Sequence, residues 1–180
     1  MRGFFGIGVE GGDKIGNLGN LVRTAHGFGA SFVFAVGSSH FSGKSYADTS
    51  RAFHNVPFYR LDTIEELMLP KLCKLVAVEL TDDAVDLPSF AHPRQAAYIL
   101  GPEQGSVSDK VLERCDHVVK IPTSFCLNQA TAGAIVMYDR VRMLGRWPKR
   151  PVSFMGEPEP LPEHVHGGPV SRTRNKNGGN

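Results

Sequence analysis

Few residue groupings in this sequence could do chemistry, and most of them weaken on inspection. Gly6, Gly8 and Gly11 make a formal G-x-G-x-x-G. A dinucleotide site needs those glycines after a strand, opening a helix, with an acid about 20 residues on. Here they lie inside an apolar run and at its exit. The next apolar run ends Ala35-Val36-Gly37-Ser38 without a carboxylate. His26, His54, His92 and His117 have no Cys or carboxylate at ligand spacing, so no metal is expected. Stronger groupings remain. Gly101-Pro102-Glu103-Gln104-Gly105 is a tight, glycine-bounded loop that follows an apolar run. Asn17 and Arg23 sit in Asn-Leu-Gly-Asn-Leu-Val-Arg-Thr, and Cys126-Leu127-Asn128 precedes a run of small residues. Arg140, Arg142, Arg146, Lys149 and Arg150 crowd the end of that run, with Lys44 and Arg51 near a polar loop. Such a cluster suits phosphate contacts, although a solvated helix end reads the same way.

These residues need elements to hold them. Phe4–Val9 reads as a strand, as do 31–36, 58–61, 75–80, 97–100 and 117–121. Leu18, Leu21, Val22, Ala25 and Phe28 mark one apolar helix face over 17–28, with Asn17 as N-cap and Gly29 as stop. Arg23 lies off that stripe. Residues 62–69 start like a capping box and predict a helix. Ser108 caps another through Arg114, and the last helix runs 129–144. That helix carries Ile135, Val136, Met137, Tyr138, Val141, Met143 and Leu144, more than one face needs, so burial nearly all round is expected. Residues 38–50 form a long polar loop of the kind that often carries function. Alternating strands and helices predict an α/β fold with a mostly parallel sheet flanked by helices.

Composition sets the limits. At 180 residues one domain is expected, with a sizeable core. The formal net charge is only +2, and residues 151–180 hold as many acidic as basic side chains. RNA binding would therefore need a local patch. Three cysteines without C-x-x-C spacing predict reduced thiols and a cytoplasmic setting. No apolar run reaches 18 residues, and the start does not read as a signal peptide, so no membrane association is expected. Half of the twelve prolines fall in residues 146–180. The expected organisation is a domain over 1–145 and a Pro/Gly-rich tail with little regular structure over 146–180.

In this order and spacing, the motifs resemble the SpoU (TrmH-like) branch of the SPOUT RNA methyltransferases. Asn17 to Thr24 fits N-x-G-x-x-x-R-T, Gly101 to Gly105 fits G-P-E-x-G, and the Ile121-Pro122 turn and Leu127-Asn128 complete the set. The resemblance covers roughly residues 4–144. It implies a C-terminal deep trefoil knot, in which 125–144 threads the 100–105 loop. It also implies a homodimer built on the last helix. The implied activity is methyl transfer from S-adenosylmethionine to a ribose 2′-hydroxyl of structured RNA. No room is expected for the extra N-terminal RNA-binding domain of some relatives, which favours tRNA over rRNA as the substrate. Arg23, Asn17, Glu103 and Asn128 are the implied catalytic residues. Leu80, Gly101, Ile121, Cys126 and Leu127 are the implied wall of the cofactor pocket. Lys44, Arg51, Arg140, Arg142 and Arg146 are the expected RNA contacts. One position departs from the family: Cys126 stands where Ser is usual, and a thiol is larger and a weaker donor. That departure motivates an alternative, a non-catalytic RNA-binding protein on the same knotted fold.

Overall fold

The computed structural model describes residues 3–11, 15–37, 52–102 and 105–161. The chain divides into two compact units, Met1–Gly145 and Arg146–Asn180. In the second unit, none of the described residues 146–161 is in helix or strand.

Among the described residues the first unit has seven strands: β1 (Phe4–Glu10), β2 (Phe32–Val36), β3 (Phe58–Leu61), β4 (Lys74–Val78), β5 (Val85–Asp86), β6 (Gln95–Leu100) and β7 (His117–Lys120). Every pairing is parallel, in the order β3-β2-β1-β6-β4-β7-β5. Three helices cover it: α1 (Ile15–Phe28), α2 (Asp109–Arg114) and α3 (Gln129–Leu144). A parallel sheet must be buried on both faces, and its central strands are correspondingly apolar throughout. On one face, Phe5, Ile7 and Val9 pack with Leu18, Leu21 and Val22 of α1 and with Val136 and Met137 of α3. On the other face, Phe34, Ala97 and Ile99 pack with Val107 and Val111.

The glycines inside β1 answer to this second face. A Cβ on Gly6 would lie 2.2 Å from the Phe32 ring, and one on Gly8 would lie 2.5 Å from the Phe34 ring. Register explains it, because Gly6 is paired with Phe32 and Gly8 with Phe34. The pattern is a packing device, not a phosphate cradle. The small residues of α3 have a similar cause: a Cβ on Gly133 would lie 2.4 Å from Leu21 Cδ1 of α1.

Three expectations need correction. First, α1 begins at Ile15, so Asn17 lies inside its first turn and is not the cap. Second, the helix expected over 62–69 is only a 3-10 turn, Ile64–Glu66. The Arg114 guanidinium donates to the carbonyls of Ile64 and Leu67, which a continuing helix would need for its own ladder. Pro70 also disfavours helical backbone at Leu69. Third, β5 went unrecognised, because two exposed residues at a sheet edge leave no periodic signal.

Candidate active site

Ligands of open α/β sheets collect beyond the carboxyl ends of the strands. In this sheet a cleft lies there, at the ends of β4, β6 and β7 and before α3. Leu80, Gly101, Ile121, Cys126 and Leu127, expected together from sequence, all line it. The segment from Pro122 to Asn128, which gives the cleft Thr123, Cys126 and Leu127, is exposed throughout. Gln129, the first residue of α3, is buried, and its side-chain amide donates to the Gly101 carbonyl. That bond ties the start of α3 to the loop leaving β6. Two charged lining residues escaped the sequence reading, Glu79 and Lys120. The available signal was position, since each stands at the end of an apolar strand.

Asn128 has two jobs. Its Oδ1 accepts the amides of Ala130 and Thr131, at 3.0 and 3.2 Å, and so caps α3. Its Nδ2 donates to Oδ1 of Asn17 at 3.2 Å. Two residues 111 positions apart are thereby joined, linking α1 to the loop that carries Cys126 and Leu127. Arg23 stands six residues further along α1 and is exposed. Glu103, Lys44 and Arg51 lie outside the described residues.

The basic cluster separates in the structure. Arg142 and, in the second unit, Arg146 are exposed. Arg140 is not: it is fully buried and belongs to the core, so its expected role as an RNA contact is withdrawn. Its guanidinium donates to the carbonyls of Phe4, Pro93 and Arg94 and to the Tyr98 hydroxyl. It also lies over the Phe5 ring, 5.3 Å from the centroid. A residue inside the helix stripe was mistaken for part of the surface cluster because sequence distance alone linked it to Arg142.

The family question is decided by comparison with known proteins. The model of the SpoU rRNA Methylase family matches residues 6–138. The chain belongs to the SpoU family. An Archaeoglobus fulgidus protein described as an uncharacterized tRNA/rRNA methyltransferase is 34% identical over 133 residues, 68% of this chain and 57% of its own length. The tRNA (guanosine(18)-2′-O)-methyltransferase of Escherichia coli K12 is 27% identical over 133 residues, 70% of this chain and 58% of its own. The SpoU chain thus spans little more than half of these relatives. Its fold is shared with the SpoU methyltransferase AviRb of Streptomyces viridochromogenes, crystallised in complex with AdoMet. The TM-score is 0.70, at 24% identity over 79% of this chain and 61% of that one. Among the described residues of the SpoU chain, no group of three or more His, Cys, Asp or Glu stands together to hold a metal. Nor is any described helix long and apolar enough to cross a membrane.

Proposed function

We propose that this chain is an RNA methyltransferase that moves a methyl group from S-adenosylmethionine to a ribose 2′-hydroxyl of structured RNA, tRNA ahead of rRNA. The observation that carries this reading is the Asn17–Asn128 bond, which joins the helix bearing Arg23 to the loop lining the cleft. The cleft suits the donor chemically. Leu80, Ile121 and Leu127 offer apolar wall, while the loops after β6 and β7 offer backbone groups. Glu79 and Lys120 supply one charge of each sign. When bound, S-adenosylmethionine supplies an electrophilic sulfonium methyl. The trefoil knot belongs to the same reading, supported by the Gln129–Gly101 bond, which ties the start of α3 to the loop it would thread.

The protein's own task is to position and activate a hydroxyl, which is a poor nucleophile while protonated. Arg23 is the group for this. A guanidinium keeps its proton at any working pH, so its role is a bidentate grip on a neighbouring phosphate and stabilisation of the developing alkoxide. Asn17 and Asn128 hold α1 against the cleft. Glu103 orients Arg23. In the assembled enzyme two copies meet along α3, whose Tyr138 and Met143 are 54% and 44% exposed in a single chain.

Cys126 favours a second reading, since it stands exposed in the cleft where the family usually has a hydroxyl. On that reading the protein binds RNA without modifying it. Single-turnover methylation with tRNA and rRNA fragments separates the two, with mapping of 2′-O-methylated positions. Methyl transfer to tRNA ribose is expected. Tight RNA binding with no transfer would favour the non-catalytic reading, and transfer to a base would overturn the ribose assignment.

A further inference from the structure

The loop leaving β6 is held from both sides by carboxylates. Glu10 ends β1, the neighbour of β6 on one side, and Glu79 follows β4, its neighbour on the other. Glu79 Oε2 accepts the Val107 amide at 2.7 Å, and Glu10 Oε2 accepts the next amide, Ser108, also at 2.7 Å. The other oxygen of Glu79 accepts the Leu80 amide at 2.8 Å. A Cβ on Gly101 would lie 3.1 Å from Glu79 Oε2, so this carboxylate abuts the start of the loop as well as its end. The two acids differ in one respect. Glu79 lines the cleft, and Glu10 is not among its described lining residues.

Two backbone amides fix the Glu79 carboxylate but occupy only two of its roughly four acceptor sites. The only other charged side chain among the described lining residues is Lys120. The cleft therefore holds one anion that is held rigidly by the fold. That matters for a donor whose charge changes when it reacts. S-adenosylmethionine carries a sulfonium cation, whereas the demethylated product, S-adenosylhomocysteine, is a neutral thioether of nearly the same shape. A fixed negative charge in a partly enclosed site favours the first over the second, because Coulomb interactions there are less screened than in bulk water. We infer that Glu79 is a specificity-determining residue of the cleft, whose carboxylate favours the sulfonium donor over the thioether product. The inference rests on the methyl-donor reading above. Lys120 works the other way on the sulfonium, being a cation in the same cleft, while it attracts the carboxylate that donor and product share.

Calorimetric titration of the full chain with S-adenosylmethionine and S-adenosylhomocysteine tests this, with melting curves alongside. Glu79→Gln should lower the donor-to-product affinity ratio by roughly fivefold to tenfold. Glu79→Asp keeps the charge with a shorter reach, so both affinities should weaken while the ratio holds. Glu10→Gln removes the neighbouring anchor of the same loop and should leave the ratio unchanged. Lys120→Met should weaken both ligands through the carboxylate they share, without lowering the donor-to-product ratio. A merely structural role for Glu79 would weaken both ligands equally. An unchanged ratio in Glu79→Gln, or an equal fall in Glu10→Gln, overturns the inference while leaving the methyl-donor reading intact. Wild-type protein that binds neither ligand overturns both. If Glu79→Gln does not fold, the wild-type ratio is measured at low and high salt: screening should lower it, and a salt-invariant ratio overturns the inference.

Discussion

Arg23 is exposed on α1, away from the stripe of Leu18, Leu21, Val22 and Ala25 that builds the core. Arg23→Ala should therefore change stability by no more than about 0.5 kcal/mol, as at a typical surface site. Methyl transfer should nevertheless fall about 10²-fold or more, as for loss of a transition-state charge stabiliser. Arg23→Lys should rescue poorly, since an ammonium cannot reproduce a bidentate fork. Single-turnover methylation of bound RNA checks both variants, and near-wild-type turnover in Arg23→Ala would sink the mechanism. Asn128 allows a cleaner separation of roles, because one atom caps α3 and another reaches Asn17. Asn128→Ala should lose about 1 kcal/mol of stability with the cap. Asn128→Asp keeps the capping acceptor and loses the donor to Asn17. It should melt near wild type yet transfer methyl groups slowly; equal activity of Asn128→Asp and wild type would dismiss the Asn17 link.

At the scale of the element, α3 is fastened to the sheet by a directed chain of hydrogen bonds. Arg140 donates to the Tyr98 hydroxyl at 3.1 Å. Tyr98 lies 2.7 Å from His92 Nδ1, and His92 Nε2 lies 3.1 Å from Asp139. A carboxylate only accepts, so Nε2 carries the proton and Nδ1 accepts from Tyr98. Burial pushes the His92 pKa down, with Asp139 opposing the shift. The sign follows directly. The unfolded chain binds a proton at His92 below about pH 6.5, where the folded ring is still neutral, so stability falls as pH drops through that range. The melting temperature should decline from pH 7 towards pH 5.5, and His92→Phe should flatten that decline. Arg140→Met should cost roughly 2–4 kcal/mol, because each buried acceptor left unmade costs about 1–3 kcal/mol. Chemical denaturation measures this, and a loss below 0.5 kcal/mol would return Arg140 to the surface cluster.

At the scale of the whole molecule, the exposed Tyr138 and Met143 of α3 lead to an expected homodimer. Light scattering at micromolar concentration should return twice the chain mass, and a monomer would count against the proposed meeting of two copies along α3. RNA affinity should come from exposed cations such as Arg142 and, in the second unit, Arg146, Lys149 and Arg150. The net charge of +2 offers little long-range attraction. Binding should weaken with salt at a log–log slope of roughly −0.7 to −0.9 per phosphate contact. Removing Arg142 should make the total slope shallower by about one, whereas a salt-independent affinity would rule out the phosphate reading.

Sequence alone determined what local pattern and motif spacing can carry. The sheet's six longer strands, the three helices, the Ser108 start of α2 and the family follow from periodicity, a capping residue and ordered motifs, whereas the Asn128 cap of α3 appears only in the structure. The five residues that meet in the cleft were implied by the family resemblance, which carries them over from its own pocket. Tertiary structure decided whatever depends on partners distant in the chain. Arg114 takes the carbonyls of Ile64 and Leu67 and stops a helix that local pattern favoured. Register sets the Phe32 and Phe34 rings over Gly6 and Gly8. Arg140 leaves the basic cluster because the strand-end carbonyls of Phe4, Pro93 and Arg94 converge on it. Glu79 gains its place only when β4 lies beside β6, because its partner amide at Val107 is 28 residues away in the chain. Periodicity reports which side of an element is apolar, and only the packed sheet determines which polar groups share that side.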